Sequence, residues 1–232
     1  MSENKLVRRP EVWKDRIRVE DARKSVAILI PALDHVHTEF AVSLAQMILH
    51  TAGNGAELLS HLSIQTYGCS IIPHARHVLA QHAVESGVTH TLWIDSDMQF
   101  PQDMLLRFAR HDEKLIGINA MMRRPPYLNC AQAQPGMPLL ITEESRGLEK
   151  VHRTGFGVMW VATEVFRSIS MPWFDLVYQP QLHQFRGEDY VFCEKARAAG
   201  YEVYVDLDIS REVKHLGSYG FNPWMKLETP TA

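Results

Sequence analysis

Apolar, β-branched runs alternate with segments of helical period through the first half of the chain, and this alternation constrains the fold more than any other feature. "SVAILIPA", residues 25–32, is apolar at almost every position, as a strand covered on both faces must be. "TEFAVSLAQMILH" follows, with Phe40, Leu44, Met47 and Ile48 at helical spacing and Thr38 placed to cap the first turn. "GNG" from Gly53 breaks the chain, and "LSIQTYG" reads as a second strand. "PHARHVLAQHAVESG" reads as a helix with Val78, Leu79, His82 and Ala83 on one face and Gly87 as its stop. "HTLWIDSD" is a third strand, "PQDMLLRFARHD" a helix opened by Pro101, and "KLIGINAMM" a fourth strand. The order predicts an α/β class: a mostly parallel central sheet flanked by helices on both sides.

The second half changes character. A proline-rich loop, "RRPPYLNCAQAQPGMP", leads into "LLITEESRGLEKVHRTGFGVMWVATEVF", which reads as strands around a turn at Arg146-Gly147 and then a short helix. "GEDYVFCEKARAAG" is a helix from Glu188 to Gly200, and "YEVYVDLDI" another strand. These extend the same sheet. The expected organisation is a charged arm over residues 1–24 and one domain over residues 25–232, within the size that one core supports.

Composition narrows the class. A formal net charge of -3 argues against a broadly basic nucleic-acid binder. The arm mixes arginines and lysines with acids, and reads as a solvated extension, an oligomer contact or a polyanion contact; homo-oligomer formation stays open. The 3 cysteines, Cys69, Cys130 and Cys193, are scattered and form no CxxC pair, which fits a reducing compartment better than a disulfide scaffold or structural zinc. No apolar run approaches the ~18 residues of a transmembrane segment, and the N-terminus lacks a signal peptide's apolar core. The expected location is cytoplasmic.

The chemistry concentrates in short motifs. "TLWIDSD" ends an apolar strand on Asp95 and Asp97, and a buried strand gains nothing from two carboxylates there. Residues i and i+2 of an extended segment share a face, and ligands of parallel sheets sit beyond strand C-termini. Two carboxylates there suit Mg2+ or Mn2+; the plain alternative is a solvated turn that caps the next segment. "GED" opens a helix with Glu188 and Asp189, which is either helix-end electrostatics or a general base with a partner carboxylate. "TGFG" from Thr154 places glycines where another group approaches closely, or bulges a strand. His215 follows the last strand and is either an ordinary histidine or a ligand beside carboxylates. His35 and His37 in "DHVH" lack the frame of a zinc site and read as loop chemistry.

Taken in this order, "DSD", "TGFG", "GED" and His215 resemble the motif set of GT-A-fold, family-2-like glycosyltransferases, in a form common in bacterial and phage members. The resemblance runs from Ser25 to Phe221. It implies a single GT-A-like, Rossmann-type domain that moves a sugar from a nucleotide-diphosphate sugar, a UDP-sugar favoured, to an acceptor hydroxyl on a glycan, a protein or a modified nucleobase. It implies Asp97 as a metal ligand, Asp95 on metal or ribose, and His215 completing a Mn2+ or Mg2+ site. It implies Pro31, Ala32 and Arg76 near the nucleotide, Asp189 as catalytic base and Glu188 beside it. One departure stands out: related sequences often carry Arg-Asn where this chain reads "ARHV", with His77. Arg123 and Arg124 of "MRRPPY" stay open between diphosphate or anionic-acceptor contact and a solvated loop.

Other classes fit less well. A sugar nucleotidyltransferase needs a glycine-rich phosphate loop after its first strand, and "IPALDHVHTEF" has no glycine. A D-x-D-x-T phosphatase needs a threonine that "DSDMQ" lacks. A degenerate transferase that only binds nucleotide-sugar or glycan is the remaining alternative.

Overall fold

The computed structural model describes residues 22–123 and 128–217. Most of the expected arm, Arg124 and residues 218–232 lie outside the described residues.

The strands in chain order are β1 Lys24–Ala32, β2 Leu59–Gly68, β3 His90–Ile94, β4 Met98–Gln99, β5 Leu115–Gly117, β6 Gln132–Gln134, β7 Met137–Pro138, β8 Leu148–Val151, β9 Val158–Ala162, β10 Val177–Gln179, β11 Gln184–Arg186, β12 Val203–Asp206 and β13 Lys214–His215. The helices are α1 Thr38–Asn54, α2 Ile72–Ser86, α3 Met104–Ala109, α4 Thr163–Ser168, α5 Glu188–Ala198 and α6 Leu207–Glu212.

A 7-stranded sheet in the order β2-β1-β3-β9-β5-β12-β8 forms the centre. β2, β1, β3, β5 and β12 run one way, and β9 and β8 run against them. The four strands expected from the first half therefore share one sheet and one direction. Both faces are covered, as their unbroken apolar sequences require. Alternate residues of β1 go to opposite sides: Ala27 and Leu29 pack with Leu79 and Ala83 of α2, Phe166 of α4 and Phe192 of α5. Val26, Ile28 and Ile30 pack with Phe40 and Met47 of α1, Leu105 and Phe108 of α3 and Ile209 of α6.

Several expectations change in detail. His37, not Thr38, is the N-cap of α1, and no side chain caps that end. The C-terminal stop of α2 stands as expected, with Gly87 left-handed at φ 77. The buried face of α2 is Ala75, Arg76, Leu79, Ala80 and Ala83, so an arginine lies on the core side. α3 begins at Met104, after Pro101 and a turn. Residues 139–144 form no strand; they run as loop and turn, and Asn119, buried in the core, receives this stretch by donating from Nδ2 to the Leu139 carbonyl at 2.9 Å. β8 and β9 do not pair with each other. β8 sits at an edge on β12, while β9 inserts antiparallel between β3 and β5. β9 can occupy that central place because every residue of "VMWVA" is buried.

Candidate active site

The C-terminal ends of β3 and β5 and the start of β9 meet at one place. The backbone N–H of Asp95 donates to the Gly157 carbonyl at 2.9 Å, so "DSD" and "TGFG" lie side by side. The loop after β1 also reaches this point, through the His37 N–H to the Ser96 carbonyl at 3.3 Å. β13 pairs with β4 and sets His215 opposite Met98, one residue past Asp97.

Arg76 ties the motifs together. Its Nη2 donates to both oxygens of Asp95 at 2.9 and 3.0 Å, and its Nη1 donates to Glu188 at 2.5 Å. The guanidinium also faces the Phe156 ring, 5.2 Å from its centroid. Phe156 is in turn packed at 5.0 Å on Phe192 of α5 and 5.7 Å from Trp93 of β3. The "TGFG" aromatic is thus the floor on which the arginine rests. Burial alone would lower the Arg76 pKa, but Asp95 and Glu188 outweigh it and keep the guanidinium protonated.

Asp189 sits in the first turn of α5 and is almost enclosed. Burial, reinforced by Glu188, pushes its carboxyl up to about 6. Gly187 makes room for it: a Cβ there would lie 2.7 Å from Asp189 Oδ1. A Cβ on Gly155 would meet the Cys130 sulfur at 3.3 Å and Asp189 Oδ2 at an ordinary 3.5 Å, so the close approach expected at "TGFG" is to Cys130 there. At Gly157 the approaching group is the Met98 sulfur, which would lie 3.3 Å from an added Cβ.

His215 and Asp97 come together, with Nε2 3.5 Å from Asp97 Oδ2. The His215 Nδ1 lies 2.8 Å from the Met121 carbonyl, which can only accept, so Nδ1 carries a proton and Nε2 is left facing Asp97. Arg123 Nη2 pairs with the same Asp97 oxygen at 2.7 Å. Burial would raise the Asp97 carboxyl, yet His215 and Arg123 hold it below its usual value. Its other oxygen, Oδ1, is buried and has no hydrogen-bond partner among the described residues.

Arg76, Asp95, Glu188, Asp189 and His215 line one cavity of about 1110 Å³; Asp97 and Arg123 lie behind His215, outside that lining. The cavity's far side is built by residues that carried no signal in the sequence: Cys130 from the proline-rich loop, Gln132 of β6, Arg153, and Phe185 of the β10–β11 hairpin. Tyr190 is anchored there by its hydroxyl, which donates to the Cys130 carbonyl at 2.7 Å, and by Arg153 stacked 4.3 Å over its ring. Only Tyr190, contiguous with "GED", could have been suspected from sequence.

The other expected residues fall elsewhere. Pro31 is buried at the end of β1, and Ala32 borders a separate apolar groove between α1 and β2. His77 packs on Trp173 at 5.1 Å instead of joining the carboxylates. Among the described residues no group of three or more His, Cys, Asp or Glu side chains is arranged to hold a metal ion. Asp97 and His215 form a pair, while Asp95 is engaged with Arg76.

No protein-family model matches the chain, and no curated protein matches it in sequence. Solved structures do match. Drosophila beta1,4galactosyltransferase 7, as a catalytic domain in complex with xylobiose, aligns over 88% of this chain and 77% of its own, with a TM-score of 0.52 and 16% identity. The fold is GT-A-like. GalNAc-T7 with UDP, GalNAc and Mn2+ aligns over 90% of this chain and 45% of its own, with a TM-score of 0.52 and 10% identity. A197 from STIV aligns over 90% of this chain and 98% of its own, with a TM-score of 0.53 and 12% identity. This GT-A-like sheet puts the two carboxylate motifs on the same side, where strand C-termini open. No helix among the described residues is long and apolar enough to cross a membrane.

Proposed function

We propose that this chain is a glycosyltransferase that moves a sugar from a nucleotide-diphosphate sugar to an acceptor hydroxyl. The observation that carries the reading is the convergence of Asp95, Glu188, Asp189 and His215 on one cavity, with Arg76 joining Asp95 to Glu188. The glycosyltransferases of like fold support it, and the neighbour holding UDP, GalNAc and Mn2+ favours a UDP-sugar as donor.

The residues fit a divalent ion. Asp97 Oδ1 is a buried carboxylate oxygen left without a partner, and His215 Nε2 faces the same carboxylate. One carboxylate and one imidazole suit Mn2+ or Mg2+, which commonly keep water and substrate phosphate oxygens in their remaining positions. Bound there, such an ion would neutralise charge on a departing diphosphate. Asp95 would orient this region through Arg76, with ribose as its other expected contact.

Asp189 is the base. An acceptor O–H must lose its proton as its oxygen bonds to the anomeric carbon. In the same displacement the bond from that carbon to the diphosphate oxygen breaks, and its electron pair leaves with the diphosphate. Asp189 takes the proton. A carboxyl raised to about 6 is a stronger base than an ordinary aspartate and is still mostly ionised near neutrality. Glu188 cannot share the role, since Arg76 holds it at 2.5 Å. The attack is in line, so the reaction inverts configuration. The acceptor is a hydroxyl on a glycan, a protein or a modified nucleobase.

Incubation of the protein with a panel of nucleotide-sugars and Mn2+ tests the reading. Release of nucleoside diphosphate from at least one donor, lost on Asp189→Asn with donor binding retained, is the expected result. No turnover and no binding of any nucleotide-sugar overturns it.

A further inference from the structure

The two aspartates of "DSD" each face an arginine, but the two pairs are built differently. Arg76 is 4% exposed and locked by Asp95, Glu188 and the Phe156 ring. Arg123 is 40% exposed, and its fork spans the Asp97 carboxylate and the Leu216 carbonyl, each at 2.7 Å. Leu216 in turn donates its backbone N–H to the Asp97 carbonyl at 2.7 Å. Arg123 thus closes a ring over Asp97 from the solvent side. It leaves Asp97 half-satisfied, because Oδ1 stays buried and unpartnered among the described residues.

We propose that Arg123 is an exchangeable counter-cation of the Asp97–His215 pair, displaced when a divalent ion binds and then free to hold a nucleoside diphosphate. This rests on the glycosyltransferase reading above. The physical basis is competition for one carboxylate: Arg123 holds Oδ2 while Oδ1 is the oxygen left for an ion, and a guanidinium and a divalent ion on the two oxygens of one carboxylate repel each other. An arginine half in solvent gives up its pair at small cost, unlike a buried one. Once released, its planar fork matches phosphate oxygens, which Asp97 no longer contests. Metal and diphosphate then bind with positive coupling, and by linkage each raises the affinity of the other. An enzyme so arranged binds the bare ion weakly and the ion with its nucleotide well.

The test is titration of the full chain with Mn2+, alone and with saturating UDP, following free Mn2+ by electron paramagnetic resonance. Without UDP, Arg123→Gln is expected to bind Mn2+ about fivefold more tightly than the wild type, the equivalent of ~1 kcal/mol. The gain in Mn2+ affinity on adding UDP is expected to shrink in the variant. Should Arg123→Gln not fold, Arg123→Lys keeps the charge and loses the fork, and is expected to bind Mn2+ more tightly than the wild type by a smaller factor. Equal or weaker Mn2+ binding in the folded variant, while the wild type binds Mn2+ in the presence of UDP, overturns the inference and leaves the glycosyltransferase reading standing. Absence of Mn2+ binding in every protein, with UDP present, overturns both.

Discussion

Arg76 and Glu188 stand 112 residues apart in the chain and 2.5 Å apart in the fold. Through the same guanidinium, Glu188 is linked to Asp95 at the end of β3. The buried arginine makes the carboxylate motif after β3 and the carboxylate motif opening α5 one unit. It also divides the labour at α5: the neighbour that Arg76 binds is a structural anion, and the neighbour it leaves, Asp189, has its carboxyl raised by burial.

The acid limb of the pH–rate profile should report Asp189. The base must be deprotonated, so kcat/KM is expected to rise with pH through about 6 and level off above it. Glu188 contributes to the upward shift. In Glu188→Gln the like charge is gone and Arg76 acts on Asp189 less opposed, so the limb should move to lower pH. A limb that stays in place, measured on the folded variant, would remove the coupling between the two carboxyls.

Gly187→Ala should damage catalysis and spare the fold. The backbone there has φ -64 and ψ 154, open to any residue, so the substitution brings no backbone strain. The new methyl would lie 2.7 Å from Asp189 Oδ1, and the carboxylate must move. Misplacement by about 1 Å can cost ~100-fold in rate. Turnover is expected to fall by about 10–100-fold with an unchanged melting temperature and unchanged donor binding, measured side by side.

Arg76→Met should destabilise the protein. It strips two carboxylates of their common partner, and breaking a buried ion pair costs about 3–5 kcal/mol. Asp95 keeps 29% of its side chain exposed, which places the expected loss near 3 kcal/mol, the low end of that range. Equilibrium urea unfolding measures it, and a loss under about 1 kcal/mol would mean that the triad is not an anchor.

Much of this was legible in the chain. The alternation of "SVAILIPA", "LSIQTYG", "HTLWIDSD" and "KLIGINAMM" with helical segments predicted the sheet because both-face burial leaves unbroken apolar runs. The meeting of His215 with Asp97 was legible only as an ordered motif set; what brings them together is β4 and β13, strands of two residues each, too short to have a period. The central place of β9 was not legible, since strand order depends on which edges meet in space. The Arg76–Glu188 pair was equally hidden, as long-range ion pairs have no fixed spacing. Arg76 could be read as an arginine on a helix, but not as the residue turned to the core. Cys130, in the proline-rich loop, and Phe185, in the short strand β11, line the cavity from stretches whose sequences resemble ordinary surface.

The proposed function stands on a divalent ion held by Asp97 and His215, on which donor binding depends. Calorimetric titration of a UDP-sugar into the wild type and Asp97→Asn, each with and without Mn2+, is the direct test. Asparagine keeps the side chain's size and loses the charge that a hard cation requires. The expected result is binding by the wild type that strengthens at least about tenfold with Mn2+, equivalent to ~1.4 kcal/mol, and no Mn2+ effect in the variant. Mn2+-strengthened binding that persists undiminished in Asp97→Asn would contradict it.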